Sequence, residues 1–107
     1  MSDRIVRRWH AVVSRSNLEP WLTTFQERAY PGMRGVAGFC SISIQAERET
    51  DPCRVTVQTT WESMDAARAY AGDEPAKAVV PEFMAGFLLE YDAEASFHDE
   101  LMLAGGE

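Results

Sequence analysis

Alternating hydrophobic and polar positions near the start of the chain predict a β-strand. Residues 5–14 (IVRRWHAVVS) are rich in β-branched and aromatic side chains, which favour extended structure. One alternating set is Ile5, Arg7, Trp9, Ala11 and Val13, and the other is Val6, Arg8, His10 and Val12. Because neither set is purely polar, we expect this strand to be covered on both faces.

A helical repeat follows directly after this strand. Five apolar residues recur at intervals of three and four, which is the spacing of one helix face: Leu18, Trp21, Leu22, Phe25 and Ala29. Ser16 or Asn17 is suited to cap the amino end of this helix. The pair Pro31-Gly32 combines two helix breakers, so the helix is predicted to end there.

The middle of the chain predicts a β-hairpin and a second helix. Residues 39–47 and 54–62 have the alternation of strands, and the polar residues 48–52 between them form the predicted turn. Ser63 is a suitable cap for a helix that carries the apolar residues Met64, Ala67 and Tyr70 on one side. Gly72 is predicted to end it.

The last third of the chain has a less regular pattern. Residues 73–87 predict short helical pieces broken at Pro81. Residues 88–92 lead into a predicted fourth strand at 95–103, and residues 102–107 are expected to be a frayed tail.

The order of these elements is β-α-β-β-α-β, which predicts an α+β, ferredoxin-like fold with two helices on one face of an antiparallel sheet. All 107 residues fit one domain, with a core of about residues 4–101. The sheet face away from the helices is expected to carry valine, isoleucine, serine, threonine and glutamine. Burying this face against a second copy is the simplest solution, so we predict a homodimer.

Charge and hydropathy narrow the classes of partner. The formal net charge of −7 repels phosphate backbones and anionic lipid heads, so neither nucleic acid nor a membrane surface is an expected partner. No apolar run approaches the ~20 residues of a membrane-spanning helix, and the first eight residues lack the apolar segment of a signal peptide. We therefore expect a cytoplasmic protein.

The two cysteines do not predict a disulfide or a metal site. In the predicted hairpin Cys40 lies opposite about residue 61, whereas Cys53 lies near the turn, too far away for a disulfide. Two free thiols are expected. Cys-x-x-Cys, His-x-x-x-His and His-Glu-x-x-His motifs are all missing from the sequence, so no metal is predicted.

Four segments resemble the antibiotic biosynthesis monooxygenase-like family of dimeric α+β barrels. They are RRWHA in the first strand, PGMRGVAGF after the first helix, TTWESMDAARAYAGDEPAKAVVP, and the closing FHDEL. The resemblance extends over about residues 4–101. It implies the fold more strongly than an activity, because the TxWxS and PG motifs are largely structural, and fold alone does not establish function.

The resemblance implies two hypotheses of function. Enzymes of this family oxidise aromatic, polyketide-like substrates with dioxygen and without metal, flavin or other cofactor: a bound phenol or anthrone loses a proton, and the carbanion transfers an electron to oxygen. The protein then needs an apolar pocket, a proton acceptor and a donor for the oxyanion. The alternative is a non-catalytic dimeric domain that binds a small molecule or a partner.

A related branch of the family degrades haem with an asparagine in the first strand, a tryptophan in the third and a histidine after the second helix. Trp61 fits the tryptophan position. The first strand has no asparagine, and residues 76–81 contain no histidine. Haem degradation is therefore disfavoured.

Two histidines are the candidate catalytic residues. His98 in the predicted last strand is a candidate general base, or else a half-buried strand residue bonded to a backbone carbonyl. His10 joins it in one constellation if the sheet brings the two imidazoles together. The enzyme hypothesis requires a pocket of ~300 Å³ or more that contains a histidine. Exposure of both histidines, or a filled core, would count against it.

The candidate pocket residues are aromatic or cationic: Arg7, Trp9, Trp61, Tyr70 and Tyr91. The tryptophans serve either as core or as pocket wall. The tyrosine hydroxyls either donate into the pocket or reach solvent. Arg7 shares a face with Trp9 and needs a partner there, which is either a carboxylate such as Glu62 or Asp92 or an anionic ligand.

Overall fold

The structure, a computed structural model, describes residues 4–106, and within this range it contains five strands and four α-helices. The strands are β1 (Ile5–Val13), β2 (Phe39–Ala46), β3 (Cys53–Trp61), β4 (Leu88–Tyr91) and β5 (Ser96–Asp99). The helices are α1 (Arg15–Thr24), α2 (Tyr30–Arg34), α3 (Met64–Ala71) and α4 (Glu82–Ala85), and a π-helical turn (Phe25–Ala29) joins α1 to α2.

All strand pairs in the sheet are antiparallel, and β1 lies at its centre. The order is β2-β3-β1-β4, and β5 pairs with the other end of β1 on the same side as β4. Because β3 lies between β1 and β2 and is antiparallel to both, β1 and β2 run parallel to each other. This arrangement is the split β-α-β unit of a ferredoxin-like fold. The predicted α+β fold class is confirmed.

One face of the sheet is covered by the helices and holds the core. Trp9, Ala11 and Val13 of β1 point to this face and are buried. The register places Val57 opposite Trp9 and Val55 opposite Ala11. The alternation read from the sequence therefore separates a helix-covered set from an outward set.

The other face, which we call the open face, carries Arg8, His10 and Val12 of β1 and their neighbours on β3. These three residues are only half-buried. The prediction that isoleucines lie on this face is wrong. Ile42 and Ile44 instead pack against the core beneath the helices. The open face of β2 carries serines and a glutamine, because strand alternation sends the residues between the isoleucines outward.

The first helix differs from its prediction at both ends. It begins at Arg15 with Ser14 in the cap position, where Ser14 makes no side-chain capping bond. It also continues past the predicted end at Pro31-Gly32, because the π-helical turn passes the chain into α2, which extends to Arg34. The backbone N–H of Tyr30 donates to Phe25 O, five residues back. Pro31 lies in the first turn of α2, where backbone N–H groups have no partner within the helix. The missing N–H of proline is therefore tolerated at this position.

The second helix agrees with its prediction. Ser63 accepts a hydrogen bond at Oγ from the backbone N–H of Ala66, at 3.1 Å. Gly72 follows the helix with φ of 94°, a conformation that favours glycine. Local capping chemistry therefore determines both ends of this helix.

The predicted fourth strand is divided into two. The backbone N–H of Ala78 donates to Ala93 O at 2.9 Å, and Ala95 N–H donates to Ala76 O. Residues 93–95 therefore pair with 76–78 and not with β1, which separates β4 from β5. After Asp99 the described chain to residue 106 contains no further strand or helix.

Two other expectations concern the cysteines and membrane-spanning segments. Cys40 and Cys53 are both free, as predicted. None of the helices within residues 4–106 has the length and apolar character needed to cross a membrane.

Candidate functional site

A cavity of about 270 Å³ lies between the sheet and the helical segments that cover it. Its walls are mainly aromatic and aliphatic, with Tyr70 and Arg28 as the polar side chains. The lining residues are Trp9, Trp21, Phe25, Arg28, Ala29, Gly32, Met33, Tyr70, Val79, Val80, Pro81, Phe83, Met84 and Leu88. An apolar cavity with few polar groups is the usual form of a site for a small organic molecule.

Tyr70 on α3 is held in the cavity wall by ring contacts. Its ring stacks on the indole of Trp61, with centroids 5.2 Å apart and an angle of 21° between the planes. Burial raises the pKa of the Tyr70 phenol, and the nearby Arg7 cation opposes this by lowering it. Because the raising effect is larger, the hydroxyl stays protonated at neutral pH and is available as a hydrogen-bond donor.

Arg7 lies behind Tyr70, and its side chain is almost entirely buried. Its Nε donates to Pro75 O at 3.1 Å and its Nη2 donates to Lys77 O at 2.9 Å. Its Cζ lies 6.0 Å from the centroid of the Tyr70 ring. Desolvation lowers the pKa of the guanidinium, and Tyr70 partly compensates.

The carboxylate partner predicted for Arg7 is wrong. Arg7 faces the helices, whereas the Asp92 carboxylate pairs with His10, which lies on the open face. Within residues 4–106 the ion pairs include none from Arg7 to Glu62 or any other carboxylate. Backbone carbonyls of residues 75–77 satisfy the guanidinium instead, and its positive charge stays uncompensated beside the Tyr70 ring.

The three other predicted pocket residues occupy different positions. Trp9 lines the cavity, and its Nε1 donates to Asp92 O at 2.7 Å. Trp61 is fully buried beneath Tyr70, and its Nε1 donates to Thr59 Oγ1 at 2.9 Å. Tyr91 packs its ring 5.9 Å from Trp9 at the sheet edge and is 46% exposed, outside the cavity wall.

Both histidines lie on the open face, away from the cavity. His10 Nδ1 is 3.2 Å from Asp92 Oδ2, and His98 Nε2 is 2.9 Å from Ser96 Oγ. His98 pairs with Val6 in the register of β1 and β5. Val6 and His10 are four positions apart on β1, so the two histidine positions lie about 13 Å apart along the strand. They share a face but do not form one constellation, and the cavity lining includes neither.

Arg28 is a site residue that the sequence interpretation missed. It lies on the π-helical turn, and its Cζ is 3.9 Å from the centroid of the Phe83 ring. A signal was present, because Arg28 stands three residues after Phe25 and seven after Trp21, within the apolar stripe. A single charged residue on an otherwise apolar helix face therefore indicated the site.

The segment at 79–84 was also missed as a wall of the cavity. It supplies an aromatic ring and four aliphatic or thioether side chains, although only residues from Glu82 onward are helical. The hydrophobic residues of this segment have no clear helical or strand period. The direction in which their side chains point was therefore not predictable. Within residues 4–106 no three metal-ligating side chains converge on one point.

Comparisons with known proteins identify the fold. No protein-family model and no curated protein sequence matches this chain. Among solved structures, a monooxygenase of Streptomyces coelicolor in complex with nanaomycin D matches with a TM-score of 0.70 and 20% identity, over 99% of this chain and 94% of that one. A haem-degrading protein of Mycobacterium tuberculosis matches with a TM-score of 0.68 and 20% identity, over 99% and 100% of the two chains.

A Bacillus cereus protein provisionally named as an antibiotic biosynthesis monooxygenase is a third match. Its TM-score is 0.69 at 15% identity, over 98% of this chain and 100% of that one. At such identities the likeness establishes the fold and leaves the activity open. This chain has the fold of the antibiotic biosynthesis monooxygenase-like structures that its sequence resembles.

Proposed function

We propose that this protein is a cofactor-independent monooxygenase that acts on a small aromatic molecule bound between sheet and helices. The observation that carries the proposal is an aromatic-walled cavity of about 270 Å³ with Tyr70 in its wall. This volume is just below the ~300 Å³ that the enzyme hypothesis requires, and the lining includes no histidine. His10 instead lines a cleft of about 330 Å³ on the open face. The similar Streptomyces coelicolor monooxygenase was crystallised with nanaomycin D, which supports a ligand of this kind.

In the proposed reaction the substrate carries its own reactive electrons. An anthrone-like substrate loses a proton, its carbanion transfers one electron to dioxygen, and the two radicals combine as a peroxide. The peroxide anion takes up a proton from solvent, and loss of water then leaves a ketone, so that R₂CH₂ and O₂ become R₂C=O and H₂O. The protein has to hold the substrate and stabilise its oxyanion.

Tyr70 and Arg7 are suited to the second of these tasks. The Tyr70 phenol is kept protonated by its burial, so that it donates a hydrogen bond to the substrate oxygen. The uncompensated Arg7 charge behind the ring favours negative charge on the cavity side. No carboxylate or imidazole is among the residues that line the cavity, so the substrate has to be acidic enough to ionise before it binds.

A second function is favoured by that same absence of a base from the lining. In this second function the protein binds an aromatic molecule in the same cavity and does not convert it. The positions of His10 and His98 on the open face favour this alternative over a mechanism with a histidine base.

Oxygen consumption distinguishes the two functions. Wild type, Tyr70→Phe and His98→Ala are assayed against a panel of anthrones and quinols. We expect kcat/KM to fall at least about 100-fold in Tyr70→Phe, because one oxyanion donor is lost, and to be unchanged in His98→Ala. Ligand binding without oxygen uptake by the wild type supports the second function. A large loss in His98→Ala contradicts the assignment of Tyr70.

Haem degradation is not proposed. Trp61 occupies the position expected from the haem-degrading branch, but its indole is fully buried beneath Tyr70. The lining of the cavity includes neither histidine, and β1 contains no asparagine. The fold likeness to the Mycobacterium tuberculosis protein therefore carries no function here.

We also propose that two copies pair through the open face. Half-buried side chains such as His10 and the Arg8–Gln58 pair, in which Arg8 Nη2 donates at 2.9 Å, offer a polar surface with a few apolar residues. Light scattering at micromolar concentration is expected to give twice the mass of the chain, and a clean monomer contradicts the proposal. The free thiols Cys40 and Cys53 support our proposal that the protein is cytoplasmic.

A further inference from the structure

We propose that Arg28 is an anion-binding residue at the cavity, and that the ligand is therefore an aromatic molecule with a carboxylate group. The inference rests on the proposed binding function of the cavity and specifies the chemical class of its ligand.

Arg28 is the one residue of the cavity lining that carries a charge at neutral pH. Arg28 is itself an exposed residue, and the other lining residues are mostly aromatic and aliphatic. Their hydrogen-bonding groups are the Tyr70 hydroxyl and the tryptophan indole N–H groups. A ligand that fills this cavity therefore meets a single positive charge and no negative one. A complementary ligand is apolar over most of its surface and anionic at one end.

The guanidinium is held in place by Phe83. Its Cζ lies 3.9 Å from the ring centroid, which is the geometry of a cation–π contact. A cation–π contact uses the charge of the guanidinium and does not occupy its N–H donors with an oxygen acceptor. Within residues 4–106 neither the hydrogen bonds nor the ion pairs include one from the Arg28 side chain.

The helical geometry explains why a charge stands in an apolar stripe. Trp21, Phe25, Arg28 and Ala29 follow each other at helical spacing and all line the cavity. The π-helical turn at Phe25–Ala29 widens the helix at this point. Such turns occur frequently at functional sites, because the extra residue changes the direction of the side chains that follow.

The charge of the whole molecule strengthens the assignment. With a formal net charge of −7, the protein as a whole repels anions. A preference for an anionic ligand must therefore come from a local cation.

Arg34 offers a matched control, because it is an exposed arginine at the end of α2 that is absent from the cavity lining.

The test compares two ligands of the same shape by isothermal titration calorimetry, 1-naphthoate and 1-naphthalenemethanol. The wild type is expected to bind the acid about tenfold more tightly than the alcohol, because a charge-assisted hydrogen bond forms. Arg28→Gln is expected to lose this preference, so that acid and alcohol bind with similar affinity. Arg34→Gln is expected to behave as the wild type.

Arg28→Lys is a second variant that preserves the charge without the planar fork of donors. It is expected to retain part of the preference. Equal affinities for acid and alcohol in the wild type overturn the inference but leave the binding function of the cavity standing, as does a preference that survives in Arg28→Gln. If neither ligand binds, the proposed cavity function itself is overturned, and the inference with it.

Discussion

The two faces of the sheet are made by the same strands, yet they differ in what covers them and in what they can do. On the helix-covered face Trp9, Val57 and Trp61 are buried. On the open face His10 and Gln58 remain half-buried, and His98 is exposed. Adjacent residues of β1 therefore have opposite environments. The two histidines, which the sequence singles out as candidate catalytic residues, lie on the less enclosed face.

Comparison of the two faces shows which side chains can act on a molecule bound in the cavity. Histidine has the side chain best suited to proton transfer near neutral pH, but both histidines point away from the cavity. The main polar groups in and beside the cavity are the Tyr70 phenol and the guanidinium groups of Arg28 and Arg7. The cavity is therefore suited to binding and stabilising an anion, and its described lining residues include no carboxylate or imidazole to accept a proton.

Removal of Trp61 is expected to give the largest effect. Trp61→Ala removes a fully buried indole that packs against Tyr70 and Phe39. The free energy of unfolding is expected to fall by about 3 to 5 kcal/mol, because both apolar contact and a cavity term are involved. Urea denaturation at fixed protein concentration measures it. His98→Ala on the open face is the control, with an expected change below about 0.5 kcal/mol.

Arg7 and Arg8 form a matched pair of neighbours on opposite faces. Arg7→Leu leaves the carbonyls of Pro75 and Lys77 without their donors and is expected to cost about 1 to 3 kcal/mol. Arg8→Leu removes two hydrogen bonds to Gln58 Oε1 in a partly exposed site and is expected to cost less than about 1 kcal/mol. Chemical denaturation of the two variants measures the difference. Equal losses would contradict the assignment of faces.

The Tyr70 phenol is expected to make stability fall at high pH. Its folded-state pKa is raised above the ordinary value of 10.0, mainly by burial. As the pH rises through 10, the unfolded chain releases this proton and the folded chain does not, so the free energy of unfolding decreases. Tyr70→Phe is expected to flatten this decrease between pH 10 and the folded-state pKa. Thermal denaturation across that range measures it, and an unchanged slope would argue against a buried phenol.

The smallest effect is expected for the ion pair between His10 and Asp92. Asp92→Asn removes a pair whose side chains are 28% and 52% exposed. The free energy of unfolding of the isolated chain is expected to change by less than about 0.5 kcal/mol, because solvent screens such pairs. This variant also tests coverage of the open face. A loss above about 1 kcal/mol that grows with protein concentration would show that a second copy buries the pair.

Much of the fold was predictable because it depends on local patterns. The capping of α3 by Ser63 and its end at Gly72 follow from residues close in the sequence. The hairpin of β2 and β3 follows from two alternating segments and a polar turn between them. The continuation of the first helix past Pro31 was not predictable by the same rules, because it depends on the π-helical turn before it.

The site was predictable only in part. Trp9 and Tyr70 were predicted for the pocket and do line the cavity. Arg28 was missed, although its place in the apolar stripe marks it. The facing of His10 and His98 depends on strand register, which alternation alone does not specify.

By itself, the sequence determined the order of the elements, the fold class and two free cysteines, because helix and strand periods and turn chemistry are local properties of a chain. Only the tertiary structure decided which face of β1 the helices cover, that residues 93–95 pair with 76–78, and that Phe83 reaches across to Arg28. These are contacts between segments far apart in the sequence. They arise when the whole chain packs, and no single segment encodes them.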